Sequence, residues 1–154
     1  MTVAVYNRVT TKDKWSRRFI ELADHVAQWS KDPSTKVGAV IVREDNSIVS
    51  LGYNGFPRDI EDIHLDNRDY KYARTIHAEL NAVLSARTSV DGCHAYVSLC
   101  PCSNCAASMI QAGIRKVFFN PIPEELMERW GSSFEITFDL FDQAGVEYSE
   151  VIRK

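Results

Sequence analysis

Three patterns in the sequence predict an α/β fold, with a mixed five-stranded sheet that carries helices on both faces. Apolar residues recur at helical spacing over residues 14–30, a β-hairpin pattern covers residues 36–53, and strands alternate with helical segments from residue 76 onward. The hairpin supplies antiparallel strands, and the alternation supplies parallel ones. At 154 residues the chain has the size of one domain, 1–154, which buries about two-thirds of its unfolded surface.

The first half of the chain contains a predicted helix and a predicted hairpin. Residues 14–30 form an amphipathic pattern that ends before Pro33. The apolar stripe of this helix consists of Trp15, Phe19, Leu22, Ala23 and Val26. Residues 36–43 and 47–53 are rich in strand formers, and the turn-forming residues at 44–46 separate them. This arrangement is typical of a β-hairpin.

The second half alternates between strands and helices after a segment without clear structure. Residues 55–75 show no sustained periodicity, and such a long segment is more often a functional lid than a spacer. Gly113 and Gly145 follow two of the later helices, where glycine commonly ends a helix. The predicted elements are a helix at 76–87, a strand at 95–99, a helix at 102–112, a strand at 116–120, helices at 124–130 and 134–144, and a strand at 146–152.

The overall composition excludes some classes of partner. The formal net charge is −3 and the pI is about 5.8, so the chain has no general attraction for polyphosphate, and no nucleic acid partner is expected. No stretch approaches the roughly 18 apolar residues of a membrane helix. Residues 1–5 lack the basic segment and long apolar run of a secretory signal. A cytoplasmic protein without a membrane partner is therefore expected.

The cysteines indicate metal binding. Cys100, Cys102 and Cys105 lie within six residues, and the fourth cysteine is Cys93. Such crowding suits a metal site in a reducing compartment better than a disulfide framework.

One histidine, two cysteines and a glutamate form a candidate zinc site with catalytic character. His77 lies in the predicted helix at 76–87, and Cys102 and Cys105 are three residues apart on one face of another helix. Three such ligands leave the fourth corner of a tetrahedral Zn²⁺ open for water. Glu79 is not needed as a ligand and can act as the general acid/base. A fourth ligand from Cys100 would instead make the site structural, although chelation by such near neighbours in the chain is awkward.

These residues match the H-x-E…P-C-x-x-C signature of the zinc nucleobase deaminases. Further stretches make the chain resemble the deoxycytidylate (dCMP) deaminases in particular, from about residue 15 to residue 151. These stretches are Ser30-Lys31-Asp32-Pro33, Lys36-Val37-Gly38-Ala39-Val40, Gly52-Tyr53-Asn54-Gly55-Phe56-Pro57 and His77-Ala78-Glu79-Leu80-Asn81-Ala82. The resemblance implies the three-layer α/β/α cytidine-deaminase fold and zinc-dependent hydrolysis of dCMP to dUMP and ammonia, which supplies dUMP for thymidylate synthesis.

The resemblance also implies contacts to the nucleotide. The matching asparagine, Asn54, would bind the sugar hydroxyl, the Ala78 N–H would hold the base carbonyl, and backbone groups at residues 99–101, Pro101 included, would receive the amine. A nucleotide phosphate needs cations and hydroxyl donors, and the candidates are Ser30, Lys31 and Lys36. The alternatives are that Asn54 is only a turn residue and that the two lysines belong to a solvated charge cluster.

Regulation in an oligomer is a further implication of the resemblance. Family members form hexamers that dCTP with Mg²⁺ activates and dTTP inhibits, at a site distinct from the zinc. Many relatives have a glycine shortly after the Asn-Gly-Phe-Pro segment, whereas this chain has Arg58-Asp59, so an added carboxylate lies near any triphosphate. His64 in the same segment could enter the substrate pocket or a second metal site.

Other functions fit parts of the same pattern. Free-nucleoside, free-cytosine and tRNA-adenosine deaminases share the zinc signature, and the acidic balance disfavours tRNA. A zinc-stabilised nucleotide-binding module without catalysis is the alternative from another class. The lack of a convincing fourth ligand argues against that module.

Overall fold

The computed structural model describes residues 9–153, so the prediction for residues 1–5 lies outside the described part of the chain. The strands are β1 (Thr10–Thr11), β2 (Gly38–Val42), β3 (Ile48–Tyr53), β4 (His94–Val97), β5 (Lys116–Phe119) and β6 (Glu147–Val151). The helices are α1 (Lys14–Ala27), α2 (Arg68–Tyr72), α3 (Ala78–Ser85), α4 (Ser103–Ala112) and α5 (Glu124–Ala144). Among residues 9–153, no helix combines the length and the apolar character needed to cross a membrane.

The strands form one mixed sheet in the order β1-β6-β5-β4-β2-β3. β2 is antiparallel to both β3 and β4, whereas β4, β5, β6 and β1 run parallel to one another. The mixed character of the sheet is confirmed, but the expected count of five strands is wrong, because β1 adds a sixth. Thr10 pairs with Glu150 of β6. A two-residue strand has too few positions for a period-2 pattern. It can therefore be recognised only from its pairing with β6 in the structure.

Alternate residues of the central strands face two separate layers of helices. Val40 packs with Phe19 and Ile20 of α1, whereas Ile41 belongs to the larger core that α3, α4 and α5 cover. Each fully buried Val, Ile or Phe side chain contributes roughly 1.5–3 kcal/mol to the free energy of unfolding. The three-layer α/β/α arrangement is therefore confirmed, and the interior strand β2 is buried along its whole length.

Helix α5 corrects the prediction of two helices at 124–130 and 134–144. One continuous helix, Glu124–Ala144, spans both segments and the Gly-Ser-Ser sequence between them. A glycine in a helix interior costs about 1 kcal/mol relative to alanine, which lowers helix propensity without preventing a helix. Phe134, Phe138 and Phe141 are buried against the sheet, and their burial offsets that cost.

The predicted long loop at 55–75 is partly ordered by a short helix, α2. The Asn67 side chain accepts a hydrogen bond from the backbone N–H of Tyr70 at 3.0 Å and so caps α2. The two ends of the loop are joined, because Gly55 and Ile76 exchange backbone hydrogen bonds of 3.1 and 2.8 Å. The segment is therefore a loop that leaves the edge of the sheet and returns to it, rather than a spacer between two distant elements.

Close contact between β3 and α3 determines the position of His77 and of the first turn of α3. A Cβ atom on Gly52 would collide with the backbone of Ala78 and Ala82. Glycine lets the start of α3 rest directly on the strand. His77, the residue just before α3, is thereby fixed above the end of the sheet where β3 finishes and where β4 leads into α4.

Candidate active site and metal centre

Two helix N-termini converge at this edge of the sheet. His77 is the N-cap of α3 and Cys102 is the N-cap of α4, and neither side chain makes a capping hydrogen bond. The sequence pattern predicts His77 inside the helix, whereas in the structure His77 comes immediately before the first helical residue. Glu79 and Cys105 lie in the first turns of α3 and α4. Both helices therefore direct the positive ends of their dipoles toward these side chains, which favours thiolate and carboxylate anions.

The ligand atoms of three residues are close enough to share one metal ion. His77 Nδ1 lies 3.5 Å from Cys102 Sγ and 3.2 Å from Cys105 Sγ, and the three ligand atoms are all within 4.8 Å of one another. A tetrahedral zinc, with Zn–N of about 2.0 Å and Zn–S of about 2.3 Å, requires N···S separations of about 3.5 Å. One imidazole and two thiols at this spacing fit Zn²⁺.

The two thiols differ strongly in their affinity for a proton. A hydrogen bond from Cys105, followed by one from His77, lowers the pKa of Cys102 to about 4. The same hydrogen bond to the Cys102 thiolate raises the pKa of Cys105 above its ordinary value, and burial adds to the increase. Cys102 is therefore the more acidic thiol of the pair, and Cys105 holds its proton more tightly. A divalent cation at this point would displace that proton, because thiolate is the ligand form of cysteine.

Glu79 is a buried carboxyl beside the three ligands. Only 5% of Glu79 is exposed, and burial raises its pKa to about 7, while a hydrogen bond with Cys105 acts in the opposite direction. Ala82, Val97 and Met109 line the same small apolar pocket. A nearby divalent cation would favour the carboxylate and lower this pKa. A carboxyl that titrates near neutrality can both accept and return a proton.

The cluster supplies three ligand atoms, one fewer than a tetrahedral zinc ion takes. In the described range 9–153, His77, Cys102 and Cys105 are the residues that come together as a metal-binding group, and neither Glu79 nor Cys100 joins them. Cys100 is buried, with its Sγ 3.7 Å from the carbonyl oxygen of Pro101. Three ligands are the number found in catalytic zinc sites, whereas structural sites have four.

Comparison with known proteins agrees with this geometry. The family model described as the cytidine and deoxycytidylate deaminase zinc-binding region matches residues 13–120. The chain belongs to this family. An uncharacterized deaminase encoded in the luxG 3′ region of Aliivibrio fischeri is 48% identical over 135 residues, which cover 87% of this chain and 91% of that protein. Human deoxycytidylate deaminase is 41% identical over 151 residues, which cover 92% of this chain and 82% of the human protein.

A solved structure supports the same fold for this deaminase. The crystal structure of dCMP deaminase from the cyanophage S-TIM5, in complex with dCMP and dUMP, superposes with a TM-score of 0.73 at 25% identity. The alignment covers 91% of this chain and 98% of the phage enzyme. The cytidine-deaminase-like fold expected from the sequence is therefore confirmed.

Asn54 and Ser30 lie together at the open edge of the sheet in this deaminase. Asn54 is buried, its Oδ1 accepts from the backbone N–H of Val37 at 2.8 Å, and its Nδ2 donates to the carbonyl of Thr35 at 2.9 Å. The Ser30 hydroxyl donates to the carbonyl of Asn54 at 2.8 Å. An amide has two N–H donors and two oxygen lone pairs, so Asn54 keeps capacity for a ligand beyond its role in the turn.

The two predicted phosphate-binding lysines occupy different environments. Lys31 is exposed and forms an ion pair of 2.7 Å with Asp62, which raises the pKa of the lysine. Lys36 is exposed as well. To bind a phosphate, Lys31 would have to give up its ion pair with Asp62.

Sequence reasoning missed a third lysine, Lys71. It is buried, and its Nζ lies 3.0 Å from Asp32 Oδ1 and 3.2 Å from Ser34 Oγ. Lys71 and Lys31 line one pocket together with Phe56. Lys71 lies in α2, within a segment whose sequence shows no sustained periodicity, so its burial is apparent only in the structure.

The remaining predicted contacts involve backbone groups. Ala78 is fully buried at the first position of α3, where a backbone N–H has no partner within the helix and can bind a ligand oxygen. The Pro101 carbonyl accepts a hydrogen bond of 2.9 Å from the Thr137 hydroxyl of α5. One lone pair of that carbonyl is therefore occupied.

His64 does not belong to a second metal cluster within residues 9–153. It is exposed, and its ring lies edge-on to Tyr70 with a centroid distance of 5.1 Å. This contact holds His64 within the 55–75 loop.

Proposed function

We propose that this deaminase hydrolyses dCMP to dUMP and ammonia and thereby supplies dUMP for thymidylate synthesis. The observation that carries the proposal is the three-ligand cluster of His77, Cys102 and Cys105 beside the buried carboxyl of Glu79. The similarity to deoxycytidylate deaminases over most of the chain supports dCMP as the substrate. Water and dCMP enter the reaction, and one ammonia leaves for each dUMP formed.

His77, Cys102 and Cys105 are proposed to hold the zinc ion. When bound, zinc lowers the pKa of water so that hydrolysis proceeds at neutral pH. Glu79 takes a proton from the attacking water, delivers a proton to the ring nitrogen of cytosine, and then transfers one to the departing amine. Burial keeps Glu79 away from bulk water, so it exchanges protons with the substrate rather than with solvent.

The contacts that orient the nucleotide are proposed for groups at the same edge. The Ala78 N–H holds the base carbonyl, and the backbone at residues 99–101, Pro101 included, receives the leaving amine. Asn54 binds the sugar hydroxyl, since its buried amide keeps one N–H free. A buried polar group of this kind discriminates strongly against substrates that lack the matching hydroxyl.

The phosphate is proposed to bind Ser30, Lys31 and Lys36. We expect Lys31→Ala and Lys36→Ala to raise KM for dCMP about tenfold, because a charge-assisted hydrogen bond contributes roughly 1.5–3 kcal/mol. KM for deoxycytidine, which lacks the phosphate, should change little. Lys116→Ala is the control, since Lys116 pairs with Glu147 at the opposite end of the strands. Equal effects on both substrates would show that neither lysine senses the phosphate.

A substrate panel tests the proposed function directly. Ammonia release is measured from dCMP, CMP, deoxycytidine, cytosine and a tRNA anticodon stem, with wild-type protein and with Glu79→Ala. The proposal requires the highest kcat/KM with dCMP and loss of that activity in the variant. Faster turnover of another member of the panel would assign the chain to a different deaminase. No turnover of any substrate by a zinc-loaded protein would indicate a non-catalytic nucleotide-binding module.

Regulation in a homo-oligomer, with a hexamer favoured, is also proposed. The effectors are dCTP with Mg²⁺ as activator and dTTP as inhibitor, and the 55–75 loop is the element that orders around them. Asp59 adopts a left-handed backbone conformation, with φ of 67°, that glycine adopts freely and aspartate tolerates. The loop can thus keep a glycine-like turn although Arg58-Asp59 replaces the glycine found in many relatives.

Saturation kinetics test this regulation. We expect dCTP with Mg²⁺ to make dCMP saturation less sigmoidal and dTTP to make it more so, because an effector shifts an equilibrium through its differential affinity for two states. Light scattering with and without dCTP reports the oligomeric state. Hyperbolic saturation that neither nucleotide changes would identify an unregulated deaminase, with the catalytic proposal intact.

The domain organisation, the cellular location and the partner of the enzyme are proposed as well. We propose one deaminase domain over residues 1–154, since both clusters of buried side chains share a single sheet. We also propose a cytoplasmic location, because the four cysteines are free thiols, as expected in a reducing compartment. The partner is a small nucleotide rather than a nucleic acid, in keeping with the net charge of −3.

A further inference from the structure

Helix α5 holds the backbone on both sides of Cys102. The Thr137 hydroxyl donates to the Pro101 carbonyl at 2.9 Å, and the backbone N–H of Ser103 donates to the Ser133 hydroxyl at 3.0 Å. Ser133 and Thr137 are four residues apart in α5, so they lie on one face of the helix. The two peptide groups that flank Cys102 are thus both bonded to that face.

The bond to Ser133 satisfies a backbone N–H at the start of α4, where Cys102 provides no cap. An N-cap side chain normally accepts a hydrogen bond from a backbone N–H in the first turn of its own helix. Cys102 is the N-cap of α4 but makes no such bond, because its sulfur lies 3.5 Å from His77 Nδ1. The acceptor for the first N–H of α4 comes instead from a different helix, through Ser133.

The bond to Thr137 is made at the expense of a local one. A threonine hydroxyl within a helix can bond to a carbonyl three or four residues earlier in the same helix. Thr137 has no exposed surface, yet its hydroxyl crosses to Pro101. This bond fixes the tilt of the Pro101–Cys102 peptide, and the direction of the Cys102 side chain depends on that tilt.

We propose that Ser133 and Thr137 are positioning residues that hold the Cys102 sulfur at the zinc position before the metal binds. They touch neither the substrate nor the metal and act through the backbone of a ligand. Their effect is on metal affinity and on ligand geometry, as is typical of groups that orient metal ligands. The inference rests on the zinc site and does not depend on which nucleotide is deaminated.

Two variants and a rescue test the proposal. Thr137→Val keeps the branched shape and removes the hydroxyl, Ser133→Ala removes the cap acceptor, and Thr137→Ser restores a hydroxyl. We expect the first two to weaken zinc binding by roughly ten- to a hundredfold, measured by competition with a chelator. Thr137→Ser should recover most of the affinity. In Co²⁺-substituted protein, the thiolate-to-metal absorption bands should shift in Thr137→Val and return toward wild type in Thr137→Ser.

Ser16→Ala is the matched control. Ser16 is buried and its hydroxyl lies 3.4 Å from that of Tyr96, on the face of the sheet that α1 covers. Unchanged zinc affinity in Thr137→Val and Ser133→Ala would refute the proposal, and so would an equal loss in Ser16→Ala. If Thr137→Val fails to fold, the zinc affinity of Ser133→Ala decides the question, because Ser133 is only half-buried. Because zinc binding is measured without a nucleotide, failure here is distinct from failure of the proposed deamination.

Discussion

Replacement of Glu79 by alanine or glutamine is expected to lower kcat for dCMP by about 10²- to 10⁴-fold, the usual contribution of a positioned acid/base. Glutamine has nearly the same shape but cannot accept and return a proton. Zinc content should stay near one ion per chain in both variants, because Glu79 lies outside the cluster of ligand atoms. A dCMP assay beside metal analysis of the same sample gives both values.

The control for this experiment is Glu147→Gln. Glu147 is an exposed glutamate of β6, paired with Lys116 at 3.5 Å, and its replacement should change neither turnover nor zinc content. Loss of zinc from Glu79→Ala would show that Glu79 is a ligand rather than a proton carrier. Full activity in Glu79→Gln would remove Glu79 from the mechanism and require another group to move the protons.

The site could be predicted because its signals are local. His77 and Glu79 are two residues apart, and Cys102 and Cys105 are three apart, so each half follows from short-range spacing at the start of a helix. The structure adds the long-range step, because β3 and β4 bring the starts of α3 and α4 to one edge of the sheet. Burial raises the pKa of Glu79 to about 7, and no local pattern contains this information.

The parts that sequence reasoning missed all depend on distant contacts. β1 exists because Thr10 and Thr11 pair with β6, some 140 residues later in the chain. Helix α5 continues through Gly131 because the packing of its phenylalanines outweighs the low propensity of one residue. The sequence predicts a break between two helices at Ser133, whereas in the folded chain its hydroxyl accepts from the first N–H of α4. Hydrogen bonds between elements have no signature in the sequence of either element.

Cys105→Ala is expected to abolish zinc binding at the working concentration and, with it, dCMP turnover. Each ligand contributes several kcal/mol to a total of roughly 10–16 kcal/mol for zinc in structural sites, so loss of one lowers the affinity at least a hundredfold. The remaining pair, His77 and Cys102, would also lose the hydrogen bond that lowers the pKa of Cys102. Metal analysis after dialysis and chelator competition measure the effect.

Two further cysteines make this prediction specific. Cys93 is buried in the larger core, so Cys93→Ala should keep its zinc and show only the loss of a small packed side chain.

Cys100→Ala distinguishes an open site, with three protein ligands, from a closed site with four. In an open site zinc content is unchanged, because the Cys100 sulfur contacts the Pro101 carbonyl and lies outside the ligand cluster. If Cys100→Ala lost zinc as Cys105→Ala does, the metal would have four ligands, no position would remain for water, and zinc would have only a structural role.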